Sequence, residues 1–159
     1  RGEMVVAKVL YLGQTLFGVP TNIQFSAQNF GPYDAAVKKA VTAGLSPRNK
    51  FFAKKGFGAN QVLTLGTNAS KILKYSTSAL ARKTNAYLDQ MLPLFNQSDS
   101  AGIERLATLC KIIEDERTVD EATVKAKLQE WKPNKFTDEE VSRTLAFIKK
   151  QGWDQTLLK

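Results

Sequence analysis

The chain has 159 residues, of which 43% are apolar and 24% are charged, proportions that are ordinary for a folded globular protein and exclude wholesale disorder. It contains no histidine and one cysteine, which excludes imidazole-based catalytic triads, imidazole zinc sites and an internal disulfide framework. No apolar run approaches the roughly 18 residues of a membrane span, and no signal-peptide pattern is present, so we expect a cytoplasmic protein with no membrane partner.

The net charge of +8 is concentrated in the first part of the chain. Residues 1–98 contain 12 Lys and Arg against 3 Asp and Glu, whereas residues 99–159 contain 11 against 12. A strongly basic first part suits a polyanionic partner and leaves the second part nearly neutral. The simpler alternative is a basic surface that only keeps the protein soluble.

The first predicted element is a buried helix from Met4 to Phe17, ended by Gly18. Val5 and Val6 also permit a strand, which remains the alternative here. The apolar residues of 21–30 alternate loosely, a pattern typical of a short strand or an extended connection.

The second predicted element is a helix that begins at Pro32, whose missing amide hydrogen suits a first helical turn. Apolar residues follow at helical spacing as far as Gly44, which is predicted to end the helix. Lys38 and Lys39 are predicted to project from the opposite face. That placement suits contact with phosphates, although a lysine pair is more often just a solvated surface.

A basic, aromatic segment follows and is predicted to form a two-stranded ribbon. Its strands are Phe51-Phe52 and Gln61–Leu65, which are rich in aromatic and β-branched residues. Between them, Lys54–Gly58 contains the glycines that a turn requires. Phe51 and Phe52 are predicted to belong to the core, and Phe57, which is flanked by glycines, is predicted to be exposed.

A short helix followed by a glycine-tipped, lysine-rich ribbon is typical of a winged helix. The cations of the ribbon segment are Arg48, Lys50, Lys54 and Lys55. We predict that these four side chains bind the phosphates of double-stranded DNA, a contact that is independent of base sequence and weakened by salt. Lys38 and Lys39 on the adjacent helix would support them.

Residues 67–97 are predicted to be mostly helical and to connect two modules. Ser76–Ser78 is expected to interrupt this helix, and Pro93 together with Asn96–Ser98 is expected to end it. The candidates for burial here are Ile72, Leu73, Tyr75, Leu80, Tyr87, Leu88 and Met91.

From Asp99 onward the pattern predicts three helices joined by short turns, one of them at residues 132–135. The predicted buried residues are Ile103, Leu106, Ala107, Cys110, Ile113, Val124, Leu128, Trp131, Val141, Leu145 and Ile148. Capping boxes are predicted at Thr118 with Glu121 and at Thr137 with Glu140. The third helix opens with acids that would repel phosphate, so we interpret this half as a packing or protein-interaction module.

Together these elements predict a mainly α fold with a small β-ribbon. A winged-helix-like half is assigned to residues 1–66, a helical connector to residues 67–98, and a trihelical, helix-turn-helix-like half to residues 99–159.

No catalytic motif accompanies this architecture. The glycines near Lys55 lack the spacing of a phosphate-binding loop. Asp120, Glu121 and Lys125 could be arranged as a nuclease site, but helix capping and solvated surface pairs are the simpler interpretation. We therefore expect a non-catalytic domain that uses no metal and no cofactor.

Two stretches resemble the ends of proteins from bacterial type I restriction-modification systems. Lys8–Leu12, followed by Phe30–Asp34 and the basic ribbon, is similar to the winged-helix-like domains found there. Glu130–Phe136, continuing to Leu145–Trp153, is similar to the Trp-x-Pro-x-Lys-x-x-Phe pattern and closing helix of the same regions. The resemblance implies an accessory domain in DNA restriction that contacts DNA or sibling subunits, with methyl transfer or cleavage carried out elsewhere.

Two other functions stay open at this stage. One is a module that docks a large restriction subunit onto its partners through the neutral C-terminal half. The other is an antitoxin or phage regulatory domain, since Gly-Pro-Tyr also occurs in such domains. Because the first residue is Arg1 and not Met, we also expect a domain cut from a longer polypeptide, the rest of which would be a further partner.

Overall fold

The computed structural model describes residues 2–29, 31–56, 61–73 and 78–159. Within these ranges the chain is mainly helical with one small antiparallel sheet, which confirms the predicted mainly α fold with a β-ribbon. The elements are α1 (Glu3–Phe17), α2 (Ala35–Leu45), β1 (Phe52–Lys55), β2 (Val62–Leu65), α3 (Ser70–Leu73), α4 (Ala79–Gln97), α5 (Ser100–Glu116), α6 (Glu121–Trp131), α7 (Asp138–Lys150) and α8 (Trp153–Leu157). None of these helices combines the length and apolarity needed to cross a membrane.

The first element is a helix and not a strand, with the predicted end. Gly18 caps α1 in a left-handed conformation with φ of 61°, which glycine adopts without the steric cost of a side chain. Residues 18–29 and 31–34 then run without helix or strand, apart from an antiparallel bridge between Ser26 and Tyr33. Of the two interpretations of this segment, the extended connection is confirmed for its described residues.

The predicted start of the second helix is wrong. Pro32 lies ahead of α2, not in its first turn, and α2 begins three residues later. The bridge between Ser26 and Tyr33 keeps this segment extended. Asp34 then caps the helix by accepting a hydrogen bond of 2.6 Å from the N–H of Ala36.

Gly44 does not end α2 either, because it lies inside the last turn. A Cβ at Gly44 would overlap the ring of Phe52. Phe52 itself is half-buried, as is Phe51. The glycine therefore allows close packing between the helix and the ribbon. From the sequence pattern alone, a glycine in this role cannot be distinguished from a glycine that ends a helix.

The predicted ribbon is confirmed. β1 and β2 are antiparallel, with Phe52 opposite Leu65 and Lys55 opposite Val62. Lys54 and Lys55, predicted to belong to the turn, lie in β1 instead. The tip of the ribbon, and with it the prediction for Phe57, lies outside the described residues.

The described residues of the connector region include the helices α3 and α4. Ser78 caps α4 by accepting a hydrogen bond of 3.1 Å from Ala81 N–H, which agrees with the predicted interruption at that residue, and the prediction for Ser76 and Thr77 lies outside the described residues. The helix α4 ends at Gln97 and is capped by Ser98, in agreement with the predicted end at Asn96–Ser98, whereas Pro93 lies inside the helix. Met91 and Phe95, on either side of the proline, are both buried in the main core, and this packing holds the helix across the missing hydrogen bond.

Burial in this region follows the prediction only in part. Tyr87 and Met91 are buried and Leu88 is half-buried, whereas Ile72 is 38% exposed, contrary to the prediction. Ile72 lies on the short helix α3, which has too few residues to form an apolar stripe along one face. The predictions for Tyr75 and for the side chains of Leu73 and Leu80 lie outside what the structure describes.

Beyond Asp99 the predicted helices are confirmed, and α8 follows them. The helices α5, α6 and α7 pack against one another, and α8 packs against α5 and α7. The predicted buried residues are buried, except that Trp131 is half-buried. Cys110 is a core residue, as predicted, and burial raises the pKa of its thiol.

One of the two predicted capping boxes is present. Thr137 and Glu140 form it at the start of α7. The box predicted to start at Thr118 is wrong, because Asp120 caps α6 by accepting a hydrogen bond of 2.9 Å from Thr123 N–H. A carboxylate placed nearer the helix provides this acceptor, and the Thr118 hydroxyl instead accepts from the N–H of Asp120.

The main core contains residues from both ends of the chain. Tyr11 and Leu12 of α1 belong to the same buried cluster as Leu109 and Ile112 of α5. The Tyr11 hydroxyl also donates a hydrogen bond of 3.1 Å to Glu114. The predicted division of the chain at residues 66 and 98 stays a prediction.

Candidate nucleic-acid interface

The six cations predicted to contact DNA lie on α2 and the adjoining ribbon, and all six are exposed. Lys38 and Lys39 are on α2, Arg48 and Lys50 are on the connection to β1, and Lys54 and Lys55 end β1. Backbone contact joins these parts, since Phe51 donates its N–H to the carbonyl of Gly44 at 2.8 Å. We call these six residues the basic surface.

The side chains of the basic surface do not all project in one direction. Opposite residues of an antiparallel pair share a face of the sheet, and neighbours along a strand alternate between faces. Lys54 therefore shares a face with Phe52, Leu63 and Leu65, whereas Lys55 projects from the other face. On α2 the two lysines are successive residues, about 100° apart around the helix axis.

The loop that carries Arg48 and Lys50 is held by several hydrogen bonds. Lys50 has a left-handed φ of 49°, and its carbonyl accepts a hydrogen bond of 3.0 Å from Asn68 N–H. The Asn68 side chain donates to the carbonyl of Asn49 at 2.9 Å. Because these bonds fix the backbone, the two cations need less ordering on binding than cations on an unconstrained loop.

Within the described residues, no cation of the basic surface forms an ion pair. The first 73 positions contain only two carboxylates, those of Glu3 and Asp34. Glu3 accepts a hydrogen bond of 2.9 Å from the Tyr33 hydroxyl, and Asp34 caps α2. The positive charge is thus not neutralised by neighbouring acids, and its potential extends into solvent.

Acids and cations are paired on the C-terminal helices instead. Arg105 pairs with Glu140 at 2.7 Å, and the exposed Arg143 pairs with Glu139 at 2.8 Å. Alternating charges of this kind cancel over short distances. The two parts of the chain therefore differ in local electrostatic character as well as in net charge.

The sequence interpretation missed a buried charged cluster at the turn ahead of α2. Lys8 is only 1% exposed and donates a hydrogen bond of 3.1 Å to the carbonyl of Pro32. Lys132 donates to the carbonyl of Asn29 at 2.6 Å and pairs with Glu104. The sequence signals available were a lysine inside an apolar helix and the predicted turn at 132–135, and neither indicates burial.

The carboxylate of Glu104 also pairs with a second lysine, Lys135, at 2.7 Å. Burial lowers the pKa of Lys8 to about 8, although Glu104 acts in the opposite direction. Burial alone would raise the pKa of Glu104, but the hydrogen bonds from Lys132 and Lys135 outweigh it and lower that pKa. Two buried lysines thus hold the turn ahead of α2 against α1 and the C-terminal helices.

Gly31 belongs to this turn and approaches α5 closely. Its φ is 85°, and a Cβ there would lie 2.7 Å from the Thr108 hydroxyl oxygen. A side chain at Gly31 would therefore be strained in conformation and would also collide with α5. The turn orients the start of α2, and with it the basic surface, relative to the C-terminal helices.

The carboxylates considered for a nuclease site have other roles. Asp120 caps α6, and Glu121 pairs with Lys125 at 2.7 Å and accepts a hydrogen bond from Ser142. This confirms the capping and surface-pair interpretation. Among the described residues, no three Asp, Glu or Cys side chains come together in a way that could hold a metal ion.

A comparison of the sequence with models of known protein families and with curated proteins finds no match.

Proposed function

We propose that this protein is a non-catalytic, DNA-associated domain that contacts the phosphate backbone through the basic surface. The observation that carries the proposal is the set of six exposed cations on one connected segment, none of which has a carboxylate partner within the described chain. Lysine and arginine contacts to phosphates release condensed counterions, and this release drives binding that is independent of base sequence.

The geometry suits contact along a backbone better than base readout. The cations are distributed over a helix, a fixed loop and a strand, and Lys54 and Lys55 project from opposite faces of the ribbon. Such a distribution meets phosphates at several points and, within the described residues, presents no array of amide side chains to base edges. We therefore expect little preference for base sequence.

The biological setting in this proposal comes from the resemblance to C-terminal domains of type I restriction-modification proteins. In that setting the domain would hold DNA or neighbouring subunits, and other chains would perform methyl transfer or cleavage. The paired charges of the C-terminal helices would avoid DNA and leave that side free for sibling subunits.

The proposal is tested by binding to a labelled duplex at roughly 50 and 200 mM salt, a range over which binding through several phosphates weakens by orders of magnitude. The test variant replaces Arg48, Lys50, Lys54 and Lys55 with alanine. The matched control replaces Arg143, Lys149, Lys150 and Lys159, which are also one arginine and three lysines and are all exposed. Both variants therefore have the same net charge.

The basic-surface variant should bind about 10- to 100-fold more weakly at low salt, and its salt slope should fall by up to about 0.9 for each phosphate that it no longer neutralises. The control should stay close to the unmodified protein. Equal losses of affinity in both variants would mean that only total charge matters, and an unchanged affinity in the first variant would reject the basic surface as the DNA-binding site.

A further inference from the structure

Helix α1 presents an apolar ridge that is open to solvent on both sides. The ridge consists of Val6 and Leu10, which are half-buried and lie one helical turn apart. Between α1, α2 and the ribbon lies a hollow of about 580 Å³, lined by apolar side chains and Thr64. Between α1 and α4 lies a second hollow of about 420 Å³, and Val6 and Leu10 line both.

The smaller core beneath the first hollow is incompletely covered by the described chain. Its buried members are Ala7, Val37 and Val41, and much of the apolar surface around them is only partly buried. At the mouth of the hollow, Leu65 is 73% exposed. Leu92, on the α4 side of the second hollow, is 45% exposed. Contiguous exposed apolar surface of this kind marks an interaction site.

The charges at the rim indicate what kind of partner fits. Lys54 shares the ribbon face of Leu65, and Lys38 follows Val37 on α2. The carboxylate of Glu3 lines neither hollow. An apolar site bordered by cations is complementary to a partner that is apolar and acidic. A second copy of this chain would instead bring the same basic surface against itself.

The ridge also indicates the shape of the partner. Residues spaced i and i+4 form the row that packs into the groove of another helix, and the hollows on either side accept that helix's own side chains. We propose that the ridge and its two hollows dock an amphipathic helix of a partner protein whose polar face is acidic. This proposal uses the apolar surface together with Lys38 and Lys54 of the basic surface, and it does not depend on DNA binding.

The probe is a labelled synthetic helix with leucine at i, i+3, i+4 and i+7 and glutamate at the positions that flank this stripe, measured by fluorescence anisotropy. A twin peptide has lysine in place of every glutamate, and a scrambled peptide keeps the composition of the first. The acidic helix should bind at least about tenfold more tightly than either, and its advantage over the basic twin should shrink as salt screens the rim.

Two pairs of protein variants locate the site. Leu65→Lys should weaken binding of the acidic helix about tenfold or more by placing an ammonium group at the mouth of the hollow. Ile72→Lys is its control, since Ile72 is also an exposed apolar residue and lines neither hollow. Lys54→Glu should weaken binding more than Lys55→Glu, because the two side chains project from opposite faces of the ribbon.

Leu65→Lys also distinguishes binding of the acidic helix from binding of DNA, since the added cation should leave duplex affinity unchanged or increase it. An equal loss of duplex and peptide binding would assign the hollow to the nucleic-acid surface and overturn the proposal. Equal affinity for the acidic and basic helices would overturn it too. A dimer of the unmodified protein that Leu65→Lys dissociates in sedimentation would identify a second copy as the occupant and would likewise overturn it.

Discussion

Lys8 shows how a single residue links the two parts of the chain at an electrostatic cost. Its side chain is 1% exposed, and its amino group donates to Pro32 in the turn ahead of α2. Glu104 is the carboxylate that favours its charged form, and the ammonium groups of Lys132 and Lys135 oppose it. Burial dominates, and the pKa of Lys8 falls to about 8 from an ordinary 10.5.

This shift predicts a pH dependence of stability. Below about pH 8 Lys8 is protonated in both the folded and the unfolded chain, whereas from pH 8 towards 10.5 only the unfolded chain keeps the proton. Here Lys8 should make the free energy of unfolding rise with pH, by at most about 1.4 kcal/mol per pH unit. Denaturant unfolding from pH 7 to 9.5 checks this, with Lys8→Met expected to remove the Lys8 contribution.

Lys39→Met serves as the control, because it removes an exposed lysine from α2 and should leave the slope of the unmodified protein intact. If the slopes of the unmodified protein and of Lys8→Met coincide, burial does not shift Lys8 as described.

At the scale of elements, the ribbon and the loop before it form one unit. Gly66 follows β2 and lies against the backbone of Lys50 and Phe51, where a Cβ would overlap the Lys50 carbonyl oxygen and lie 2.8 Å from its carbon. The Gly66 N–H donates to the carbonyl of Phe51 at 2.9 Å. The position of two proposed DNA-binding cations, Arg48 and Lys50, thus depends on a residue that carries no charge.

Gly66→Ala should therefore displace this loop, lower the free energy of unfolding by about 1–3 kcal/mol through overpacking, and weaken duplex binding without changing any charge. Gly102→Ala is the matched control. Its Cβ would meet only side-chain atoms, the nearest being an oxygen of Asp99 at 3.2 Å, and alanine favours the helix. Thermal unfolding and duplex binding of both variants check this, and equal behaviour of the two would contradict it.

At the scale of the whole molecule, the N-terminal and C-terminal parts of the chain differ in charge but share the main core. The basic surface lies on α2 and the ribbon, and the described ion pairs lie between residues 104 and 143. The buried cluster that contains Leu12 of α1 also contains Ile112 of α5. The two parts of the chain therefore differ in charge but pack into one continuous core. Neither the charge nor the composition of the sequence marks a boundary between cooperative units.

Continuous packing predicts that α1 and the C-terminal helices unfold together. Leu12→Ala should lower the free energy of unfolding by about 2–5 kcal/mol, because Leu12 is fully buried in the shared core. Tryptophan fluorescence reports on Trp131 and Trp153, and amide exchange reports on α1. In denaturant, both probes should give one transition that shifts by the same amount, whereas separate transitions would reveal independent units.

Features that depend on neighbouring residues were predictable from the sequence. The helical spacing of Ile103, Leu106 and Cys110 predicted a buried face because such a stripe lies along one side of any helix. The capping box of Thr137 and Glu140 was equally predictable, since both of its hydrogen bonds form within a single turn. The exposure of the predicted cations follows from their hydration cost, which rarely permits burial.

Features that depend on residues far apart in the chain were not predictable from the sequence, because they arise only when the helices and the ribbon pack together. Pro93 lies inside a helix because packing on both sides of it outweighs the missing hydrogen bond. Lys132 is buried because a carbonyl 103 positions away and a carboxylate on another helix accept its hydrogen bonds. The apolar hollows beside α1 exist because α2, the ribbon and α4 approach it without covering it. Burial and surface shape are properties of the assembled fold, and no local pattern encodes them.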